Sequence, residues 1–254
     1  MPEGVLGVIP ARYESTRLPG KPLALIGGKP MIQHVYEQVR LCQALDAVVV
    51  ATDDERIRDC VAGFGGRVMM TSPSHPSGSD RVAEVARKFS AELIVNIQGD
   101  EPFLQPQAIE AALAKLRATP AAVAGTLVKK FTADEQIRQP GAVKVVLRDD
   151  DCALYFSRSV IPFLRDLPEQ AGFHEAFPFW QHIGLYVFRR EFLFQYVSWP
   201  QGQLEKAEKL EQLRILERGY DIVCARTDYE SFCVDTPEDL KKAQEIWKEI
   251  NRGR

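Results

Sequence analysis

Val5-Leu6-Gly7-Val8-Ile9-Pro10-Ala11-Arg12-Tyr13-Glu14-Ser15-Thr16-Arg17-Leu18-Pro19-Gly20-Lys21-Pro22 is the stretch that sets the architecture of this chain. Residues 5–9 are a short apolar run of the kind that becomes a buried strand. The run opens into a loop carrying three cations, Arg12, Arg17 and Lys21, with Ser15, Thr16 and Gly20 between them. Small residues let backbone N–H groups approach phosphate oxygens, and the cations neutralise their charge. The loop therefore suits a polyphosphate. It is neither a Walker A loop nor a G-x-G-x-x-G fingerprint.

Outward from that strand, the first half of the chain alternates. Residues 31–42 have helical spacing, with Ile32, Val35 and Val39 on one face. Residues 47–51 are a Val-rich run ending in Thr52-Asp53-Asp54. Asp54 is placed to cap a helix that Gly65-Gly66 stops. A short strand over 67–70, a helix over 80–89, a buried strand over 93–97, a helix over 105–117 and a strand over 122–128 follow. This order predicts an α/β fold with a mostly parallel, doubly wound sheet and helices on both faces.

The pattern changes after about residue 130. Residues 143–147 and 154–157 flank Arg148-Asp149-Asp150-Asp151 and read as an antiparallel hairpin. Residues 162–178, rich in Pro, Phe and charge, read as an irregular mobile loop. A strand over 183–188, helices over 190–197 and 204–218, a strand over 222–226 and a C-terminal helix starting at Pro237 complete the chain.

The 254 residues fit one α/β domain, and a net charge of −3 gives no general attraction to nucleic acid or an anionic membrane. No apolar run is long enough to span a bilayer, and no basic-then-apolar leader opens the chain, so the expected place is the cytoplasm. The five cysteines form no C-x-x-C pair and read as buried thiols; the four histidines lack zinc-ligand spacing.

Ligands of open α/β sheets bind at the carboxyl ends of strands. Arg12 to Lys21, Asp53, and Gln98-Gly99-Asp100-Glu101 all sit at such ends. Asp100, directly after a buried strand and beside a glycine, suits magnesium held together with substrate phosphates. Asp235, in Cys233-Val234-Asp235-Thr236-Pro237, is either its partner or an ordinary helix cap. The loop 75–81, with Ser77, Gly78 and Arg81, can read a base or simply turn into a helix capped by Asp80. Gln181-His182 can bind an anionic sugar or be a strand-edge pair, and Glu211-Gln212 can be a solvated helix face. Arg158 can pair with a carboxylate or brace a loop.

Nine segments, in order along nearly the whole chain, resemble the CMP-Kdo synthetases, the cytidylyltransferases of 3-deoxy-manno-octulosonate (Kdo). Arg17-Leu18-Pro19-Gly20-Lys21-Pro22 is the most distinctive. Others are Ala51-Thr52-Asp53, the 75–81 loop, Val95-Asn96-Ile97-Gln98-Gly99-Asp100-Glu101-Pro102 and Val143-Lys144-Val145-Val146. Ala153-Leu154-Tyr155-Phe156-Ser157-Arg158, His182-Ile183-Gly184-Leu185-Tyr186, Leu210-Glu211-Gln212-Leu213-Arg214 and Val234-Asp235-Thr236-Pro237-Glu238-Asp239-Leu240 complete the set. Two positions depart from the family pattern, Ser79 for Thr and Gly141 for Asn or a similar residue.

The resemblance implies a fold of nucleotide-diphospho-sugar transferase type. One domain would span 1–254, with residues of about 130–200 forming a smaller dimerisation and sugar-binding lobe. It implies transfer of CMP from CTP to Kdo with release of pyrophosphate, for lipopolysaccharide biosynthesis, by a homodimer. By this likeness Lys21, Arg12, Asp100 and Asp235 are catalytic, and Asp100 and Asp235 hold Mg2+. Pro10, Ala11, Arg12, Arg17, Lys21, Ser77, Gly78 and Arg81 bind CTP. Gln98, Arg158, His182, Tyr186, Glu211 and Gln212 bind the sugar. The alternatives are another 2-keto sugar acid (8-amino-Kdo or sialic acid) as acceptor, or a non-catalytic nucleotide sensor.

Overall fold

The computed structural model describes residues 4–167 and 172–252. The chain divides into two compact units, residues 1–109 with 230–254, and residues 110–229. The change of pattern read near residue 130 falls inside the second unit.

The first unit contains β1 (Val5–Ala11), a 3-10 turn (Lys21–Leu23), the small antiparallel pair β2 (Leu25–Ile26) and β3 (Lys29–Pro30), and α1 (Met31–Arg40). β4 (Ala47–Thr52), α2 (Glu55–Gly63), β5 (Val68–Met70), α3 (Gly78–Ala86) and β6 (Leu93–Asn96) follow. β1 pairs in parallel with β4 and β6, and β4 with β5, so all four strands point one way. Val8, Ile9, Val49, Val50, Ile94 and Val95 are consecutive pairs that are fully buried. Neighbours on a strand face opposite sides of the sheet, so both sides are covered.

Local chemistry explains the helix starts. The Asp54 side chain accepts from Arg56 N at the head of α2, as its position predicts. α3 begins at Gly78 rather than at 80. Its cap is Ser77, whose Oγ accepts from Asp80 N at 3.3 Å, so the reading of Asp80 as the cap is corrected. The C-terminal helix (Pro237–Asn251) is capped by Thr236 in a reciprocal box with Asp239. Its Trp247 lies over Gly27, where an added Cβ would sit 2.2 Å from the indole. Ile26, Met31, Val234 and Ala243 form a cluster under this helix. That cluster anchors the chain just before Asp235, and Val234 N donates to Asp100 O at 2.9 Å.

Gly99 is a close approach. A Cβ there would lie 2.9 Å from the Pro10 carbonyl oxygen, a backbone atom that cannot swing away. Gly99→Ala is expected to destabilise the protein by about 1–3 kcal/mol, the usual cost of overpacking. An unchanged urea midpoint for the variant would rule out the tight contact.

The chain passes from the first unit to the second within α4 (Pro106–Arg117). Then come β7 (Ala124–Lys130), α5 (Asp134–Arg138), the hairpin β8 (Lys144–Leu147) and β9 (Ala153–Ser157), and α6 (Phe173–Ala176). β10 (Trp180–Arg189), α7 (Arg190–Val197), α8 (Gln203–Glu208), α9 (Leu213–Leu216) and β11 (Ile222–Arg226) follow. β7 runs parallel to β11 and antiparallel to β10, and β10, β8 and β9 continue antiparallel.

Three expectations change here. The helix predicted over 204–218 is broken into α8 and α9, because Lys209 adopts a left-handed conformation with φ 54°. Arg214 folds back on Glu205 through two bonds of 2.6 and 2.7 Å, and Arg158 Nε donates to Glu208 O at 2.8 Å. Glu211 and Gln212 therefore lie in the intervening turn, not on a solvated helix face, and Gln212 is buried. The segment 162–178 is not irregular throughout. The Asp134 carboxylate accepts from Phe173 N and His174 N at the start of α6, while residues 168–171 of the expected mobile loop lie outside the described residues. Of the cysteines, Cys42, Cys152 and Cys224 are buried as expected, Cys60 is half-buried and Cys233 is exposed.

Candidate active site

Parallel strands put their carboxyl ends on one edge, and in the first unit the predicted residues gather there. A cleft of about 390 Å³ is lined by Pro10, Ala11, Arg12, Arg17, Lys21, Gln98, Gly99, Asp100 and Asp235, with Glu14, Ser15, Thr16 and Pro22. The loop that builds one wall is closed by Gly20, at φ 68°, whose N–H donates to Tyr13 O at 3.0 Å. The Tyr13 ring packs on Gly20, and the Arg56 guanidinium stacks on that ring at 3.3 Å. Lys21 opens the 3-10 turn that follows, so its ammonium is aimed by the backbone rather than left on a free stem.

That ammonium bridges two carboxylates. Lys21 Nζ lies 2.6 Å from Asp100 Oδ2 and 3.0 Å from Asp235 Oδ1, while Arg17 Nη2 lies 3.1 Å from Asp235 Oδ2. Burial pulls Lys21 towards its neutral form, but Asp100 and then Asp235 outweigh it, and its pKa is raised above that of an ordinary lysine. The remaining oxygen, Asp100 Oδ1, is buried and has no hydrogen-bond partner among the described residues. Asp235 is thus not the cap of the helix it precedes, since Thr236 holds that role.

The base-side residues are placed less uniformly. Gly78 faces Pro10: a Cβ on Gly78 would meet Pro10 Cγ at 3.5 Å. The Ser77 hydroxyl is engaged with Asp80 at 2.6 Å. Arg81 is fully buried, donates to Asp53 Oδ2 at 2.7 Å and to Thr71 Oγ1, and keeps its Nε unpartnered. Asp53, read from the sequence as a strand-end carboxylate, is therefore spent on Arg81. Arg12 is exposed and donates to the His75 carbonyl at 2.8 Å. Sequence reasoning gave no role to Asn96, which is buried on β6 with its Oδ1 unpartnered. A polar residue inside an otherwise apolar strand was the available signal.

The second unit holds the other predicted sugar residues. A register shift in β10 between Ile183 and Tyr186 brings His182 and Tyr186 to a ring separation of 5.3 Å. Thr126 Oγ1 donates to Leu185 O at 2.8 Å and lies 3.1 Å from His182 Nε2, so it accepts the Nε2 proton. Burial holds the His182 pKa down to about 3 and raises that of Tyr186 well above an ordinary tyrosine. Tyr186 Oη and Gln212 Nε2 are buried without partners among the described residues, and Glu211 lies close enough to act on the Tyr186 hydroxyl. Polar groups left open in this way suit a polyhydroxylated ligand. Arg158 is instead tied to Glu208, Pro140 and Lys209 carbonyls, and its own carbonyl accepts from the fully buried Lys144 at 2.5 Å. Lys144, also unassigned from sequence, donates to Gln139 O and Ala142 O as well, and so pins the ends of three segments.

The depressed His182 pKa has a sign. Between about pH 3 and the unfolded value near 6.5 the unfolded chain binds a proton that the native imidazole refuses. This contribution to stability is full above about pH 6.5 and is lost as pH drops towards 3. At pH 5 the penalty is about 1–2 kcal/mol after allowance for partial exposure. Urea midpoints at pH 7.5 and 5 are expected to separate more for the native protein than for His182→Gln. Equal separations would show that the imidazole is not desolvated.

Known proteins resemble this chain over nearly its whole length. The family model "Cytidylyltransferase" matches residues 6–222. A 3-deoxy-manno-octulosonate cytidylyltransferase of Solibacter usitatus is 50% identical over 98% of this chain and 96% of its own length. That of Geobacter sulfurreducens is 49% identical over 96% of this chain and 99% of its own. A solved structure of CMP:2-keto-3-deoxy-manno-octonic acid synthetase in complex with CTP aligns with a TM-score of 0.90 at 42% identity, covering 97% of this chain and 99% of that one. The fold and the family match are those of a nucleotidyltransferase. Within that class, the chain belongs to the family of 3-deoxy-manno-octulosonate cytidylyltransferases.

Proposed function

We propose that this enzyme transfers CMP from CTP to the anomeric hydroxyl of Kdo and releases pyrophosphate. The observation that carries the reading is the Lys21 ammonium held between Asp100 and Asp235, in a cleft walled by the cationic loop.

The hydroxyl oxygen attacks the α-phosphorus, its proton passing to water, as the bond to pyrophosphate breaks on the opposite side. No covalent protein intermediate is needed, so positioning and charge neutralisation supply the rate. Arg12, Arg17 and Lys21 line the cleft and take the triphosphate charge. Pro10 and Gly78, in packing contact with each other, offer an apolar surface against which a planar base can lie. Within the second unit, Glu211, Gln212, His182 and Tyr186 offer donors and acceptors to a sugar. His182 is neutral throughout the working pH range and serves as a hydrogen-bonding group rather than as a cation. Arg158, tied to carbonyls, holds the 208–209 turn that leads to Glu211.

Asp100 and Asp235 would hold Mg2+, which fits the buried, unpartnered Asp100 Oδ1 and the usual preference of this ion for one or two carboxylates plus phosphates. When bound, the ion would offset phosphate charge and lower the pKa of the attacking hydroxyl. Among the described residues no group of three or more His, Cys, Asp or Glu forms a metal cage, so the other ligands fall to substrate and water.

We extend the reading to a cytoplasmic homodimer supplying activated Kdo to lipopolysaccharide synthesis. Among the described residues, no helix is long and apolar enough to cross a membrane. The deciding experiment measures pyrophosphate release with CTP and magnesium and, in parallel, Kdo, 8-amino-Kdo or sialic acid. Release with Kdo that EDTA abolishes is expected. Release with another acid alone moves the substrate, and CTP binding without release from any acid sinks the catalytic reading.

A further inference from the structure

Of the four carboxylate oxygens offered by Asp100 and Asp235, three are already taken by cations of the chain itself. Asp100 Oδ2 and Asp235 Oδ1 share Lys21 Nζ, and Asp235 Oδ2 is bound by Arg17. The Lys21 side chain is 17% exposed and the Asp100 side chain 22%, so water does little to screen the contact. A metal ion held by the same two carboxylates would compete with the ammonium for them. A dication placed beside a retained ammonium would be repelled at short range.

We infer that Lys21 is a place-holder cation in the nucleotide-free enzyme, and that the nucleotide triphosphate must draw it away before Asp100 and Asp235 can take a metal ion. The inference rests on the function proposed above, because it needs an anion that competes for Lys21. The geometry supplies a route: Lys21 and Arg17 line the same cleft as Arg12, Ser15 and Thr16, where the triphosphate is expected. Moving both cations onto phosphate opens three carboxylate oxygens in one step and leaves two negative charges next to the already open Asp100 Oδ1. Nucleotide and metal are then coupled through the protein, each raising the affinity for the other, beyond their direct chelation. The order is nucleotide first or together with metal, and metal alone binds weakly. In the free enzyme the two carboxylates are not left as unpaired charges.

The test uses Mn2+ alone as the probe, with free ion counted by electron paramagnetic resonance and no nucleotide present. Lys21→Met is expected to bind Mn2+ at least about tenfold more tightly than the native protein, within the usual range of such couplings. Lys21→Arg keeps the charge and is expected to stay weak. Adding Asp100→Asn to Lys21→Met is expected to abolish the gain. Equal Mn2+ affinity in the native protein and Lys21→Met overturns the inference, as does a gain in Lys21→Arg as large as that in Lys21→Met. Should Lys21→Met fail to fold, native protein labelled with 15N at the lysine side chains is titrated with CTP in EDTA. The Lys21 signal is expected to move without any metal, and a signal that stays put overturns the inference. Pyrophosphate release by the native enzyme, run in parallel, judges the proposed reaction separately. Release together with equal Mn2+ affinities would refute only the place-holder role.

Discussion

Asp100→Asn is expected to lower turnover about a thousandfold while changing CTP affinity by less than about threefold. Oδ2 of this residue holds Lys21, and Oδ1 is buried with no partner among the described residues. The amide removes the charge that both the ammonium and a metal need, and sets a donor where an acceptor stood. The triphosphate is held chiefly by Arg12, Arg17 and Lys21, so ground-state binding survives. An interaction made mainly in the transition state appears in kcat, not in affinity. Asp235→Asn acts in the same direction with a smaller effect, because its side chain is 36% exposed. Steady-state kinetics and equilibrium dialysis with CTP separate the two quantities. Near-normal turnover in both variants would refute the assignment of these carboxylates.

Lys21→Ala carries the second large effect. Turnover is expected to fall by about a hundredfold to a thousandfold, the usual cost of losing one donor to developing phosphate charge. CTP is expected to bind about tenfold more weakly. Stability falls too, since Asp100 and Asp235 lose their shared partner. Breaking a partly buried pair in this way costs about 1–3 kcal/mol, tempered here because Arg17 still holds Asp235. Retained CTP affinity and turnover would overturn the phosphate-loop reading. Together with the Mn2+ measurement, one position then gives two responses of opposite sign when its charge is removed: tighter metal alone and slower chemistry.

Much of the first unit was legible along the chain. Strands β1, β4 and β6 are continuous apolar runs, and such runs buried on both sides announce a parallel sheet. The cap at Asp54 and the start of the C-terminal helix at Pro237 follow from local chemistry alone. The cap of α3 did not, because Ser77 and Asp80 are both capable, and only the backbone shows which oxygen accepts. Reading was weaker in the second unit. Charged residues over 204–218 have good helix propensity, yet Arg214 to Glu205 and Arg158 to Glu208 impose a turn that no local signal encodes. Tyr186 and Gln212 became candidates by motif. Their unpartnered polar atoms are a property of packing.

What the sequence by itself determined is the strands of the main sheet (not the small β2–β3 pair), most helix starts, the cationic loop and the family. Those depend on neighbours a few residues apart, where periodicity, caps and glycines act. Only the tertiary structure decided that Asp235 serves Lys21 rather than its own helix, and that Asp53 serves Arg81. Lys21 and Asp235 are 214 positions apart. Their meeting depends on the Val234 contact to Asp100 and on Trp247 packed over Gly27, and no window of sequence contains both ends of that arrangement.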